Sequence, residues 1–90
     1  EFVRVADTTM TDLLLVEDDA LTARAARLAL GAEGYSVRVA STGREALDSV
    51  RTAPPDVILL DLGLPDIDGA ALVTQFRQLC NCPLLILSVR

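Results

Sequence analysis

Short apolar runs and helix-like patterns alternate along most of the chain. Residues 13–16, 57–60 and 84–87 are apolar at every position, which predicts strands buried on both faces of a sheet. Residues 36–40 instead alternate apolar and polar side chains around Arg38. This alternation predicts an edge strand with one face in water.

Three segments between these runs have the spacing of amphipathic helices. The first covers about residues 19–33 and has Leu21, Ala25 and Leu28 on one stripe, which is predicted to face the sheet. Gly34 comes directly after it and is placed to end this helix, because glycine readily adopts the backbone conformation of a helix C-terminus.

The second and third helices have clear start or stop signals. Thr42 precedes Glu45 by three residues, which is the spacing of a capping box, and prolines at 54 and 55 end the second helix. A loop rich in turn-forming residues leads into the third helix. The positions predicted to be buried in these two helices are Ala46, Leu47, Val50, Leu72, Val73, Phe76 and Leu79.

Strands that alternate with helices in this order predict an α/β fold with a doubly wound parallel sheet. The last run, residues 84–87, is as apolar as the interior strands, so we expect a sheet that is incomplete in this chain. Residues 1–9 look unlike the remaining chain and precede Met10, which would make a natural start. We therefore interpret residues 1–12 as a leader or cloning remnant. Residues 13–90 then form one small domain.

Composition narrows the range of functions. Thirteen acidic residues against eight basic ones give a net charge of -5, which argues against a nucleic-acid-binding surface on this segment. All eight basic residues are arginines, and the absence of Lys and His excludes Schiff-base lysines, histidine general bases and histidine-ligated metals. No apolar run is long enough to span a membrane. Cys80 and Cys82 are too few for a disulfide scaffold, and we interpret them as reduced thiols.

Acidic residues come directly after two of the predicted strands. Glu17, Asp18 and Asp19 come after the first strand, and Asp61 comes after the third. In open α/β sheets, ligands bind beyond the carboxyl ends of the strands, where the strand order reverses. Carboxylates that crowd there repel one another and favour a bound cation, and oxygen-only ligands suit Mg²⁺ best.

Helix capping is the competing interpretation of these acids. Asp19 is expected to cap the first helix, and Asp66 and Asp68 are expected to act as turn or cap residues. Asp61 has no such explanation, because the next helix begins several residues later. A carboxylate beside Mg²⁺ at a strand end can be a nucleophile toward phosphoryl groups. A hydrolase of the haloacid-dehalogenase kind needs a second Asp two positions on, where this chain has Gly63, so an enzyme is not expected.

Three motifs resemble the receiver domain of two-component response regulators. They are LVEDD at residues 15–19, LLDLGLPDIDG at 59–69 and ILS at 86–88, and the resemblance covers residues 13–90. The chain most resembles regulators that carry a winged-helix DNA-binding output domain. The resemblance implies a flavodoxin-like (CheY-like) fold with strand order 2-1-3-4-5, here truncated after the fourth strand and lacking the fourth helix, fifth strand and fifth helix.

The resemblance also implies roles for individual residues. Asp61 would accept a phosphoryl group from a sensor histidine kinase. Asp18, Asp61 and the backbone carbonyl of Gly63 would bind Mg²⁺, and Glu17 would act through a metal-bound water. Ser88 would be the switch hydroxyl that responds to phosphorylation. The lysine that pairs with the phosphoryl group in this family, on its fifth strand, has no counterpart in the chain.

Two interpretations of function therefore stay open. The first is a phosphoacceptor signalling module in the cytoplasm that controls transcription and reaches DNA only through an output domain outside this chain. The alternative is a degenerate receiver that acts only as a protein-interaction or dimerisation domain. In either case we expect a homodimer or swapped oligomer, because residues 84–87 would present an unpaired apolar strand edge.

Overall fold

Four parallel strands and three helices make up the computed structural model, which describes residues 10–61 and 63–87. The strand order is β2-β1-β3-β4, so the predicted alternation of strands and helices is confirmed. The elements are β1 (Asp12–Val16), α1 (Ala20–Ala32), β2 (Ser36–Ala40), α2 (Gly43–Thr52), β3 (Val57–Leu60), α3 (Gly69–Leu79) and β4 (Leu84–Ile86).

The sheet register brings the ends of β1 and β3 side by side. Val16 at the end of β1 pairs with Leu60 at the end of β3. The chain passes from β1 to β2 on one side and then to β3 on the other, so the strand order reverses between β1 and β3. This is the position at which open α/β sheets bind ligands.

The two faces of the sheet bury different amounts of apolar surface. Helices α2 and α3 cover one face, where the described residues form a core of twelve buried members: Leu14, Val16, Ala40, Ala46, Leu47, Val50, Ile58, Leu60, Leu64, Leu72, Phe76 and Cys82. Helix α1 covers the other face, whose smaller core contains Leu13, Leu15, Ala23 and Leu59. The buried positions predicted for α2 are confirmed, and Leu72 and Phe76 of α3 are fully buried.

The predicted buried stripe of α1 is wrong. Leu21 and Leu28 are 78% and 66% exposed, and the helix instead packs through Ala23, Ala26 and Leu30. The helix is apolar on most sides, so more than one stripe has helical spacing. The stripe with Ala23 and Ala26 is the one that packs on the sheet, and the pattern alone does not distinguish the two stripes.

Two other predictions need correction. Cys80 and Cys82 are joined in a disulfide, so the interpretation of two reduced thiols is wrong. Strand β4 forms as predicted but is not buried on both faces, because Leu85 and Ile86 are about half exposed. Among the described residues, β4 pairs only with β3, and its outer side is an edge of the sheet. Residues 1–9 and Ser88 lie outside the described residues, so their assignments stay predictions.

Local contacts explain how the helices are fixed to the sheet. Gly34 has a φ of 98°, the left-handed conformation expected just beyond a helix end. At the amino end of the sheet, Arg38 of β2 bonds to the carboxylate of Asp12, to the Ser49 hydroxyl at 2.8 Å and to the Ala53 carbonyl at 2.7 Å. These bonds fasten the last turn of α2 to β1 and β2.

None of the described helices is long and apolar enough to cross a membrane.

Candidate functional site

The sheet places two acidic side chains next to each other. Glu17 and Asp61 come immediately after β1 and β3. The backbone ladder continues past both strand ends, because the Asp61 N–H donates to the Val16 carbonyl and the Glu17 N–H donates to the Ala40 carbonyl, both at 3.0 Å. The backbone therefore fixes both residues at the carboxyl edge of the sheet.

Three carboxylates converge at this edge. Oxygen atoms of Glu17, Asp18 and Asp61 all lie within 4.8 Å of one another. Asp61 is 1% exposed and Glu17 is 8% exposed, whereas Asp18 is open to solvent. The cluster thus has a buried floor of two carboxylates and one exposed carboxylate at its opening.

Hydrogen bonds orient the two buried carboxylates. Asp61 Oδ1 accepts from the Gly63 N–H at 3.0 Å, and Glu17 Oε2 accepts from the Asp19 N–H at 3.1 Å. Burial raises the pKa of Glu17 above its ordinary value of 4.5, the hydrogen bond from Asp19 opposes this rise, and the neighbouring Asp61 adds to it. The two buried carboxylates therefore lie close together in a site where burial disfavours their charged forms.

This chemistry fits a hard divalent cation. The cluster offers carboxylate oxygens only, which are the ligands that Mg²⁺ and Ca²⁺ prefer. A cation would favour the ionised form of Glu17, which burial and, to a smaller extent, the neighbouring Asp61 disfavour. The bond between Gly63 and Asp61 keeps the loop after β3 beside the cluster.

The other acids named from the sequence have different tasks. Asp19 caps α1 by accepting from the Thr22 N–H, and Asp68 caps α3 by accepting from the Ala71 N–H, as expected. Asp66 caps a helix too, but the helix is α2, across the loop from its own position. Sequence reasoning missed this partner because the two ends of the contact lie more than twenty residues apart.

Comparison with known proteins identifies what the chain resembles. The family model described as "Response regulator receiver domain" matches residues 13–90. "Transcriptional regulatory protein KdpE" of Mycobacterium tuberculosis (strain ATCC 25618 / H37Rv) is 42% identical over 81 residues, which are 90% of this chain and 36% of that protein. "KDP operon transcriptional regulatory protein KdpE" of Escherichia coli (strain K12) has the same identity and coverage.

Solved structures agree on the fold. The response regulator receiver domain (CheY-like) from Methylobacillus flagellatus superposes with a TM-score of 0.82 at 30% identity, covering 87% of this chain and 69% of that one. The chain spans only about a third (36%) of the length of the two KdpE proteins. The similarity therefore concerns one region of those longer proteins.

Proposed function

We propose a function that starts from family membership: the chain belongs to the response regulator receiver domain family. Its relatives are two-component regulators of transcription, and receiver domains bind Mg²⁺ at an acidic pocket. On this basis, Asp61 is the phosphoacceptor for a sensor histidine kinase. The observation that carries the proposal is the buried Asp61 carboxylate, at the end of a central strand and within 4.8 Å of two other carboxylates.

The proposed reaction is a direct transfer. A carboxylate oxygen of Asp61 attacks the phosphorus of a phosphohistidine, the phosphorus–nitrogen bond breaks, and the departing imidazole nitrogen keeps the electron pair. The Gly63 N–H donates to Asp61 Oδ1 and helps to orient the carboxylate toward the reacting group. Asp18, Asp61 and the Gly63 carbonyl are the proposed Mg²⁺ ligands, with Glu17 acting through a water. When bound, Mg²⁺ neutralises the charge that accumulates on the oxygens.

We do not propose a turnover enzyme. A phosphohydrolase of the haloacid-dehalogenase kind would need an acid where Gly63 stands. The cluster of Glu17, Asp18 and Asp61 also favours the phosphoacceptor over a degenerate receiver that serves only in protein interaction, because interaction alone gives no reason for crowded carboxylates. Ser88 remains the proposed switch hydroxyl. The proposed setting is the cytoplasm, with DNA contacted only by an output domain.

Association of the 90-residue chain is a separate proposal. Leu85, Ile86 and Leu87 are 56%, 50% and 54% exposed, in the edge strand β4 and directly after it. An apolar strand edge can pair with a second copy or exchange elements with it, so we expect a homodimer or swapped oligomer. Light scattering during size-exclusion chromatography at micromolar concentration measures this. A 9.6 kDa monomer that unfolds cooperatively would contradict the proposal.

Phosphorylation is tested by intact mass after incubation with a small acyl phosphate and Mg²⁺. We expect the native chain to gain one phosphoryl group and Asp61→Asn to gain none. Labelling should be slow, because no lysine is available to stabilise the added charge. Asp48→Asn, which changes an exposed carboxylate on α2, is the matched control and should label like the native chain. Equal labelling of Asp61→Asn and the native chain would rule out Asp61 as the acceptor.

A further inference from the structure

The carboxylate of Asp66 connects two parts of the molecule that are distant in sequence. Asp66 lies in the β3–α3 loop, defined here as residues 63–68. Its Oδ1 accepts from the Gly43 N–H at 2.8 Å, and its Oδ2 accepts from the Arg44 N–H at 3.1 Å. Both donors belong to the first turn of α2, where helix N–H groups have no partner within the helix. The loop is therefore bonded through both oxygens to a neighbouring helix.

A close packing contact reinforces this connection. A Cβ built on Gly43 would lie 2.9 Å from Ile67 Cδ1 and 3.1 Å from Ile67 Cβ, so a larger residue at this position would require Ile67 to shift. Ile67 also packs against the larger core, and Leu64 is buried in it. Hydrogen bonding and packing thus hold the same loop to the same helix independently.

Asp66 and a local N-cap share the donors at the start of α2. Thr42 is the N-cap of α2, and its hydroxyl accepts from the Glu45 N–H at 3.1 Å. Glu45 accepts in turn from the N–H and the hydroxyl of Ser41. These local contacts serve the Glu45 N–H and the residue before the N-cap, and the Gly43 and Arg44 N–H groups donate to Asp66. The bonds from Asp66 therefore fix the loop in addition to capping the helix.

We propose that Asp66 is a positioning residue for the carboxylate site, because it holds the β3–α3 loop on α2 and so keeps Gly63 beside Asp61. This inference rests on the proposed function for the role of Gly63 as a metal ligand. The carboxylate of Asp66 bonds to the start of α2, so its effect on the carboxylate cluster passes through the loop. The loop is then preorganised, and cation binding does not have to order it.

The test compares Asp66→Ala with Thr42→Ala, using Mg²⁺ alone as the probe. Both variants remove an oxygen acceptor at the start of α2, but only Asp66→Ala releases the loop. Isothermal titration should show the Mg²⁺ dissociation constant rising roughly tenfold in Asp66→Ala, as for loss of an outer-shell partner, and by less than about twofold in Thr42→Ala. Asp66→Asn keeps one carbonyl oxygen and should fall between them. Equal dissociation constants for Asp66→Ala and the native chain would overturn the proposal.

Hydrogen exchange separates this proposal from the proposed function. Exchange at the Gly43 and Arg44 amides should be faster in Asp66→Ala and Asp66→Asn than in the native chain, whether or not Mg²⁺ binds. If the native chain binds no Mg²⁺, the metal site of the proposed function fails, and faster exchange in the variants still supports the anchoring of the loop. If these amides remain protected in Asp66→Ala, the anchoring itself is wrong.

Discussion

The two faces of the sheet are built from the same strands but are covered differently. On the face of α2 and α3, Leu14 and Val16 of β1 pack with Phe76 in a core of large, fully buried side chains. On the face of α1, Leu13 and Leu15 of β1 meet mainly Ala23 and the half-buried neighbours of that helix. A depression remains beside α1, lined mostly by Leu13, Leu30, Tyr35, Val57, Leu59 and Leu85.

This difference indicates which face of the sheet holds the loop beside the carboxylate cluster. The β3–α3 loop contributes Leu64 and Ile67 to the core under α2 and α3 and none of its residues to the core under α1. The loop beside the carboxylate cluster is therefore packed only against the α2 and α3 face. We expect substitutions on that face to affect both the free energy of unfolding and the site, and substitutions on α1 to affect mainly stability.

The largest expected effect on the free energy of unfolding comes from a substitution in the core under α2 and α3. Phe76 is 0% exposed, and Phe76→Ala should lower the free energy of unfolding by about 3–5 kcal/mol through lost burial and the cavity that remains. Urea denaturation monitored by circular dichroism measures this. A loss below about 1 kcal/mol would mean that α3 contributes much less to the core than its burial indicates.

A substitution on the face of α1 should lower the free energy of unfolding by less. Leu30 is only partly buried, so Leu30→Ala should lower the free energy of unfolding by about 1–2 kcal/mol, less than a fully buried leucine. Leu21→Ala, at a position that is 78% exposed on the same helix, is the control and should change it by less than about 0.5 kcal/mol. If Leu30→Ala lowers the free energy of unfolding as much as Phe76→Ala does, the two faces contribute equally to stability.

Mg²⁺ should stabilise the native chain by mass action. At ten times its dissociation constant, the gain in the free energy of unfolding is about 1.4 kcal/mol, because only the folded chain assembles the three carboxylates. Thermal melts with and without millimolar Mg²⁺ should show a higher Tm for the native chain and no shift for an Asp18→Ala, Asp61→Ala double variant. A shift of equal size in both proteins would place the cation elsewhere.

The smallest expected effect is the pH dependence of the stability that Asp66 contributes. The N–H of Gly43, together with that of Arg44 and the nearby Arg44 charge, lowers the pKa of Asp66 below its ordinary value of 3.8. Between the folded and the unfolded pKa of Asp66, the unfolded chain binds more protons than the folded chain. The contribution of Asp66 to stability is therefore complete above the unfolded pKa and is lost as the pH falls through the folded pKa. The Tm difference between the native chain and Asp66→Asn should therefore shrink on acidification. A constant difference would show that the carboxylate charge is irrelevant.

Much of this architecture could be predicted because each signal was local. Continuous apolar runs identified β1, β3 and β4, and the alternating run identified β2. Thr42, Gly34 and the prolines at 54 and 55 identified helix ends. The meeting of Glu17 with Asp61 could be inferred from one long-range rule, that parallel strands end at a common edge. This is why the carboxylate cluster could be predicted without coordinates.

The parts that sequence reasoning missed depend on contacts without a periodic signal. The face of α1 that meets the sheet contains the buried Ala23, although Leu21 on the exposed side fits the helical period equally well. The bond between Asp66 and Gly43 joins residues on different elements, and no pattern in the sequence connects them. The disulfide between Cys80 and Cys82 depends on oxidation state and side-chain orientation, which composition does not determine.

Helix α2 is fastened at both ends, and this has a mechanical consequence. Arg38 bonds to Ser49 and to the Ala53 carbonyl at one end, and Asp66 bonds to the first turn at the other. A ten-residue helix is about 15 Å long. Helix α2 therefore connects the carboxyl ends of the strands with their amino ends. A force on the β3–α3 loop would therefore pass along α2 to the bonds that Arg38 makes at the opposite end of the helix.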